Sequence, residues 1–434
     1  MIPMNLRFIQ HYALGLTLLG SALLINPFSS TDIFEFPKLF LLIIAVGFLT
    51  IVTIVDFVFQ GAPKIKSIPK AFIFLGIFLF GETLAYAFSS DRSISLMGAP
   101  FRFQGLLTHI HYVLLLFVTY FFFHRHPREK TKGIFGWLVA ALIVSQGAAL
   151  FPYAISFESE SFFLWMHPSF FYDRVYGTFG NPNFLAVFLI TTLPFLVLAL
   201  SKKRHLVMTA LFWIFLGITL VTLFLTGSRS AWIAVIMGFL LWGVLKAIKK
   251  QGFAMLAVTV LLVVLGIGGI ILQQSNPIPS LERLSVKSEN LTSLKTRLSL
   301  WKAGTQLFLS RPLTGFGQDA IKNNIEPYLP DRLKANDVFY IDRTHSELID
   351  ILVTRGFFSF IGYVGFFLTI LWKSIRRFAL EKSLDEYFSA ATIALFTLLL
   401  FQSVNFSTIT SNILLYFLGG YLLSIVPTKR DIIE

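Results

Sequence analysis

Hydrophobic residues occur along this chain in long runs that are separated by polar connectors. Each run has about 20 residues, the length that an α-helix needs to cross a lipid bilayer. The pattern therefore predicts an all-α polytopic membrane protein with about 12 transmembrane helices. The twelve runs cover residues 8–26, 37–58, 69–88, 104–123, 133–155, 181–200, 205–226, 229–247, 253–273, 356–374, 385–404 and 410–427.

One connector is much longer than the others and has a helical pattern of its own. Residues 274–355 are too many for a simple turn. Within them, "SLKTRLSLWKAGTQLFLS" (293–310) has apolar residues at helical spacing. We therefore predict three regions: helices 1–9 within residues 1–273, a long loop with amphipathic helices over 274–355, and helices 10–12 with the tail over 356–434.

The charged residues indicate how the chain is oriented in the membrane. Only 14% of the residues are charged and 55% are hydrophobic, whereas about a quarter are charged in a soluble protein. The net charge of +13 is compatible with a nucleic-acid partner, but most Lys and Arg residues lie in alternate short connectors, such as 202–204 and 246–250. We therefore expect no nucleic-acid partner. The positive-inside rule places these connectors and both termini in the cytoplasm, and the 274–355 loop outside.

Polar and charged side chains lie at the predicted outer ends of the helices. The N-terminus of a helix has unpaired N–H groups and a partial positive charge, so it attracts anions. Arginines beside such helix starts predict an anion site on the outer side. The candidate residues are Arg102, Arg174, Asn181, Asn183, Ser228, Arg229, Arg297, His345 and Glu347.

Two helix starts can be predicted from their capping residues. In "GNPNFLA" (180–186), Asn181 is at a cap position and Pro182 at the first helical position. In "TGSRSAW" (226–232), a Gly precedes Ser228 as N-cap and Arg229 in the first turn. The sequence therefore predicts Arg229 at the N-terminus of its helix.

A third helix start is predicted from a capping box. In "THSE" (344–347), Thr344 would be the cap and Glu347 would follow three residues later. His345 would then lie in the first turn, where the positive end of the helix disfavours imidazolium. A neutral imidazole can accept a proton, so His345 is a candidate general base.

Each of the three main candidates also has a structural interpretation. Arg229 is also compatible with an interfacial arginine that extends its guanidinium to the headgroups. On spacing alone, Arg297 fits the polar face of an amphipathic helix. His345 alone is more typical of a surface or capping residue than of a catalyst.

The other polar residues are less informative. Arg174 is compatible with an ion pair to Asp173. Glu82 lies inside the third apolar run, where a carboxylate is either functional or held by hydrogen bonds as part of the structure. "FESES" (157–161) resembles a paired-carboxylate metal site only loosely, and a solvated loop fits it better. The chain has no cysteine, which excludes disulfides and thiolate metal ligands.

Together these segments carry a family resemblance. In chain order, and with a weaker match first, they are "MGAPFRFQGLLT" (97–108), "GTFGNPNFLAVFL" (177–189), "TGSRSAWIA" (226–234), "TRLSLWKAG" to "RPLTGFG" (296–317) and "RTHSELIDILVTRGFFSFIGYVGFF" (343–367). With these segments in this order along the chain, the sequence resembles the O-antigen ligase and polymerase family. The members of this family are membrane glycosyltransferases of the bacterial envelope. One departure is Ser346, where many relatives have Asn.

The resemblance implies a GT-C-like fold and a glycan donor carried on undecaprenyl diphosphate. The donor would bind to the site at the outer face of the inner membrane, where membrane lipids surround the protein. By the same resemblance, Arg229 and Arg297 hold the diphosphate, His345 acts at the acceptor hydroxyl, and no metal or other cofactor takes part. The physical chemistry agrees, because a guanidinium binds phosphate oxygens in a bidentate manner and a neutral histidine accepts a proton. In-line attack would invert the anomeric configuration.

The sequence leaves the acceptor open. We expect an O-antigen ligase, whose acceptor is lipid A–core, with a polymerase of lipid-linked repeats or a protein O-oligosaccharyltransferase as alternatives. A different class is a flippase or transporter for the same lipid-linked sugars. Such a protein should have internal repeats and charges near the bilayer midplane, and the sequence shows no such repeat.

Overall fold

The described part of this computed structural model forms helices and turns, with no strand in those ranges. It covers residues 6–28, 32–63, 69–155, 174–201, 205–248, 288–334, 341–381 and 385–425. An all-α polytopic architecture is therefore confirmed. The helices are α1 Leu6–Leu23, α2 Glu35–Gln60, α3 Ala71–Ala87, α4 Arg92–Met97, α5 Leu106–Arg125, α6 Arg128–Thr131, α7 Ile134–Ile155, α8 Pro182–Ser201, α9 Leu206–Leu225, α10 Arg229–Ile248, α11 Ser288–Ser310, α12 Asp331–Lys334, α13 Glu347–Leu380, α14 Glu386–Ser403 and α15 Ile409–Ile425.

Long apolar helices make up most of the described residues. Eight of the helices described are long and apolar enough to cross a membrane, and α3 and α15 are shorter apolar helices. Each predicted apolar run coincides with a helix, except the run 253–273, which lies outside the described residues. The protein is thus an integral membrane protein, while the number of spans and their orientation stay predictions.

The helix that follows the long loop has a break near its start. α13 runs from Glu347 to Leu380, and Gly356 inside it has φ +73°, a left-handed backbone conformation. The first turns, 347–355, therefore belong to the predicted loop, and the remainder is the predicted tenth run. This break allows the start of α13 to turn away from the direction of its membrane-spanning part.

A close contact between α3 and α13 fixes the membrane-spanning part of α13. A Cβ at Gly81 would collide with Ser359, and a Cβ at Gly362 would collide with the backbone of Phe78. Small residues at such positions let two helix backbones approach closely inside a membrane. α3 is therefore packed closely along α13 from Phe78 to Gly81.

The described residues of the predicted loop, 288–334 and 341–355, pack together around helices rather than forming an extended connection. α11 packs through Leu300, Ala303 and Leu307 into a small apolar core that also contains Ile321 and Val353. The segment 293–310 is helical, as its spacing predicted. α11 is thereby held against the first turns of α13.

The "RPLTGFG" turn (311–317) joins these two helices at the Gly356 break. Phe316 N donates to Val353 O at 3.0 Å, and Phe357 N donates to Pro312 O at 2.8 Å. Gly315 has φ +65°, and a Cβ there would lie 2.6 Å from the carbonyl carbon of Thr354. The motif is therefore a structural joint that fixes the position of α11 relative to α13.

Candidate functional site

The two arginines expected to bind an anion lie near each other. Arg229 is the first residue of α10 and is exposed, and Arg297 lies half-buried on α11. Burial and the charge of Arg229 lower the pKa of Arg297. Two guanidinium groups near each other repel, and an anion between them would offset this repulsion.

The segment 403–407 between α14 and α15 holds Arg297 in place. Nη1 of Arg297 donates to Val404 O at 3.0 Å, and Nη2 donates to Asn405 Oδ1 at 3.3 Å. Asn405 Nδ2 donates to Ser230 Oγ at 2.8 Å, next to Arg229. The segment therefore connects the start of α10 with α11. The segment was not among the predicted site residues, although its polar residues "SVNFS" between two apolar runs were a signal.

His345 precedes α13 in a left-handed backbone conformation, with φ +61°. This conformation is costly for a non-glycine residue and persists where the surroundings fix it. Thr344 donates to Asp350 Oδ1 from its N at 2.9 Å and from its Oγ1 at 2.7 Å. On the other side, Ser346 Oγ donates to Ser403 O at 2.8 Å. Both neighbours are thus held, and His345 projects from between them.

The predicted capping box is wrong. α13 begins at Glu347, and its N-cap is Ser346, whose side chain makes no capping hydrogen bond. Ser346 donates to Ser403 O instead, while Thr344 donates to Asp350. The prediction failed because both hydroxyls donate hydrogen bonds to other groups and neither one caps the helix. His345 is therefore outside the first turn.

His345 is neutral for a different reason from the one expected. Burial, then the charges of Arg297 and Arg102, lower its pKa from 6.5 to about 4, although Asp342 opposes this. At neutral pH the imidazole is therefore uncharged and can accept a proton. The same arginines that attract an anion also keep the candidate base unprotonated.

Arg102 lies on the other side of His345, paired with a carboxylate. Its Nε donates to Asp342 Oδ2 at 2.6 Å, and its Nη2 donates to Asp342 Oδ1 at 3.3 Å. Its guanidinium lies 4.5 Å from the centre of the Phe406 ring, and the His345 ring is 5.2 Å from that centre. Phe406, which was not among the predicted site residues, thus contacts both the base and this arginine.

The loop that carries Arg102 is held by a buried aspartate. Asp319 Oδ2 accepts from Ala99 N at 3.0 Å and from Gln104 N at 2.8 Å. Its Oδ1 accepts from Arg343, the neighbour of Asp342. This arrangement fixes both partners of the Arg102–Asp342 pair, and it explains how the weakly matching 97–108 segment reaches the site.

Arg174 and the start of α8 lie beside the turn that precedes Arg229. Arg174 Nε donates to Thr226 O at 2.6 Å, and its Nη2 donates to Asn183 Oδ1 at 3.2 Å. Asn181 Oδ1 accepts from Asn183 N at 2.9 Å, which confirms the predicted cap. The proposed partner Asp173 lies outside the described residues, as do the residues of "FESES".

Ser228 occupies the predicted N-cap position of α10. Its carbonyl accepts from Trp232 N at 3.2 Å, and its Oγ lies 3.4 Å from Ser230 Oγ. The hydroxyl is buried, so its contribution is to the turn that presents Arg229.

Glu347 was expected among the substrate-binding residues, and its carboxylate is in contact with protein groups. Oε2 accepts from Ser407 N at 2.8 Å, and Oε1 lies 3.7 Å from Nη2 of Arg355. The side chain is only 6% exposed. Glu82 is further from the site, fully buried beside Arg355 and His109. Within the described ranges, no group of three or more His, Asp or Glu residues is arranged to hold a metal ion.

Comparison with known proteins covers the central part of this site. Residues 214–364 match the model of the O-antigen ligase family. No curated protein matches the chain. The matched residues include Arg229, Arg297 and His345, the two clustered arginines and the neutral histidine. The match makes the central part of the chain similar to the O-antigen ligase family.

Proposed function

We propose that this protein transfers a glycan from undecaprenyl diphosphate to an acceptor hydroxyl at the outer face of the inner membrane, as an O-antigen ligase whose acceptor is lipid A–core. The observation that carries this proposal is the neutral His345 beside Arg297 and Arg102, with Arg229 near Arg297. His345, Arg229 and Arg297 lie within the family-matched region. Ligation is placed first because the matched family is described as O-antigen ligase.

In this proposal the two clustered arginines bind the diphosphate. A guanidinium stays charged at every physiological pH and binds phosphate oxygens through two parallel hydrogen bonds. Negative charge on the diphosphate grows as its bond to the sugar breaks, so Arg229 and Arg297 stabilise the transition state more than the ground state. The start of α10 contributes its partial positive charge at the same place.

His345 would act on the acceptor. Its neutral imidazole takes the proton from the acceptor hydroxyl while the acceptor oxygen bonds to the anomeric carbon. The bond between that carbon and the phosphate oxygen breaks, and undecaprenyl diphosphate leaves with the electron pair. Attack from the face opposite the leaving group inverts the anomeric configuration. A product with the donor's own anomeric configuration would contradict this step.

Two other functions share the same chemistry. A polymerase would use a second lipid-linked repeat as acceptor, and a protein O-oligosaccharyltransferase would use a protein hydroxyl. A flippase would instead need ionisable groups along a path through the bilayer. The buried Glu82 and Arg355 are within 3.5 Å of each other, which fits an internal ion pair better than a path.

Reconstitution tests the proposal. The purified protein is placed in liposomes with a defined undecaprenyl-diphosphate glycan, and lipid A–core, a lipid-linked repeat and a hydroxyl-bearing protein are offered separately. We expect transfer to lipid A–core, loss of transfer in His345→Ala, and normal transfer in His205→Ala, a matched exposed histidine before α9. Absence of transfer to all three acceptors would overturn the proposal.

We also expect transfer without a metal ion, since the arginines would supply the positive charge at the diphosphate. The rate should be unchanged in EDTA. A loss in EDTA that a divalent cation restores would contradict this expectation.

A further inference from the structure

A chain of buried charged residues leads from α3 to the candidate site. Arg355 Nε lies 3.5 Å from Glu82 Oε1, and Arg355 Nη2 lies 3.7 Å from Glu347 Oε1. All three side chains are nearly inaccessible, with exposed fractions of 0% for Glu82, 5% for Arg355 and 6% for Glu347. Charges that deep must be paired, because an isolated buried charge is very costly.

The first member of the chain is itself held on several sides. Glu82 Oε2 lies 3.0 Å from His109 Nδ1 and accepts from Gln318 Nε2 at 3.1 Å. Gln318 Nε2 also donates to the backbone O of Glu82 at 2.9 Å. Since Gln318 follows the "RPLTGFG" turn and His109 lies on α5, Glu82 is fixed relative to three different elements.

The last member of the chain contacts the segment that holds Arg297. Glu347 Oε2 accepts from Ser407 N at 2.8 Å, and Glu347 N donates to Asn405 O at 2.9 Å. Two residues of the same 403–407 segment, Val404 and Asn405, accept the hydrogen bonds of the Arg297 guanidinium. The position of Arg297 therefore depends on where Glu347 places this segment.

We propose that Glu347 and Arg355 are positioning residues that fix the 403–407 segment, so that Arg297 presents its guanidinium to the donor diphosphate. This inference rests on the proposed function for the role of Arg297. Glu82 fixes Arg355 from the α3 side. None of the three touches the substrate, and Glu347 acts through the segment rather than as a ligand.

The control is an ion pair elsewhere in the molecule. Arg125 Nε lies 3.0 Å from Asp56 Oδ2, and the Asp56 carboxylate side chain is only 2% exposed. This pair joins α5 to α2 and has no contact with the 403–407 segment. Asp56→Asn thus removes a buried carboxylate charge without touching the site, which separates a general loss of stability from a loss of positioning.

Two measurements test the proposal. The first is amide hydrogen exchange of the peptide that covers 403–409 in the purified protein, which needs no donor and no activity. The second is donor KM in the reconstituted transfer assay. The variants are Glu347→Gln, Arg355→Lys and the conservative Glu347→Asp, with Asp56→Asn as control.

We expect Glu347→Gln and Arg355→Lys to speed exchange at 403–409 and to raise donor KM about 10-fold. The Glu347 carboxylate, which Arg355 pairs with, holds Ser407 N by a charge-assisted hydrogen bond, and a bond of this kind is worth about that much. Glu347→Asp should recover part of the effect, and Asp56→Asn should change neither exchange there nor donor KM. Unchanged exchange in both variants would overturn the proposal. If the wild type transfers no glycan, the proposed function fails, while the exchange result still decides whether the segment is held in this way.

Discussion

Arg229 and Arg297 place two like charges near each other, and Arg297 has its pKa lowered by burial and by Arg229. If Arg229 only extended its guanidinium to the lipid headgroups, a second arginine beside it would have no role. The pair therefore favours anion binding. The sequence placed Arg229 correctly at the start of its helix, because a Gly-Ser break before a charged residue predicts a helix start. It did not indicate how close Arg297 would come, since that depends on how the 274–355 region folds back.

Lysine substitutions separate the two interpretations of these arginines. Arg229→Lys and Arg297→Lys keep the charge but lose the bidentate fork, so we expect kcat/KM for the donor to fall about 10-fold. Alanine should lower it about 100-fold or more. The comparison is Arg92→Lys, because Arg92 is an exposed arginine that donates to Ala87 O and lies outside the site. Full activity of Arg229→Lys would favour an arginine that only extends to the headgroups.

The pH dependence of transfer reports on His345. Its pKa is lowered to about 4 by burial, Arg297 and Arg102, so the base is neutral above that pH and protonated below it. We expect kcat/KM to be flat from about pH 5 to about pH 8 and to fall only near pH 4, instead of near the usual 6.5. Bound diphosphate places negative charge beside the imidazole and raises its pKa. The acid limb of kcat should therefore lie at higher pH than that of kcat/KM.

The acid limbs of kcat and of kcat/KM together test the role of His345 most directly. Coincident acid limbs near pH 6.5 would mean that His345 is not the titrating base in this environment. The His345→Gln variant should lose the acid limb together with most of the rate.

Helices were easier to predict from this sequence than the turns between them. Apolar runs fix where a membrane helix begins and ends to within a few residues, as for α8 and α10. The site depends on contacts between segments far apart in sequence, such as Arg297 with Asn405 and Ser346 with Ser403. Local patterns do not contain such contacts, which is why the capping box at Thr344 was wrong and the 403–407 segment was missed.

The joint between α11 and α13 depends on the backbone of Gly356. Its φ of +73° is strained for any residue with a Cβ, and that Cβ would meet the carbonyl oxygen of Leu313. We expect Gly356→Ala to destabilise the protein by about 1–3 kcal/mol and to lower transfer. Thermal unfolding in detergent and the transfer assay measure both effects.

Gly217→Ala is the matched control for this substitution. Gly217 lies inside α9, where a Cβ would meet no atom within 4 Å. The control should retain full transfer. If Gly356→Ala were as stable and as active as Gly217→Ala, the turn 311–317 would not depend on the left-handed glycine.

Across the whole molecule, the apolar periodicity predicted the architecture, since every run in the described ranges is a helix. The acceptor was harder to predict, because under the proposed function its choice would depend on the surface around His345 and not on the residues that would carry the transfer. The charge pattern makes a separate prediction about orientation: Lys and Arg cluster in alternate connectors, which the positive-inside rule places in the cytoplasm.

The absence of cysteine makes the orientation directly testable, because a single introduced thiol is then the only thiol in the chain that a maleimide can label. Gln306 on α11 and Arg376 near the end of α13 are both exposed and lie on opposite sides of the predicted membrane. In intact cells, a membrane-impermeant maleimide should label Gln306→Cys and leave Arg376→Cys unlabelled until the membrane is opened. The site and the donor diphosphate would then share the outer side. Labelling of Arg376→Cys alone in intact cells would invert the topology, and it would place Arg229, Arg297 and His345 on the side where our proposed function cannot operate.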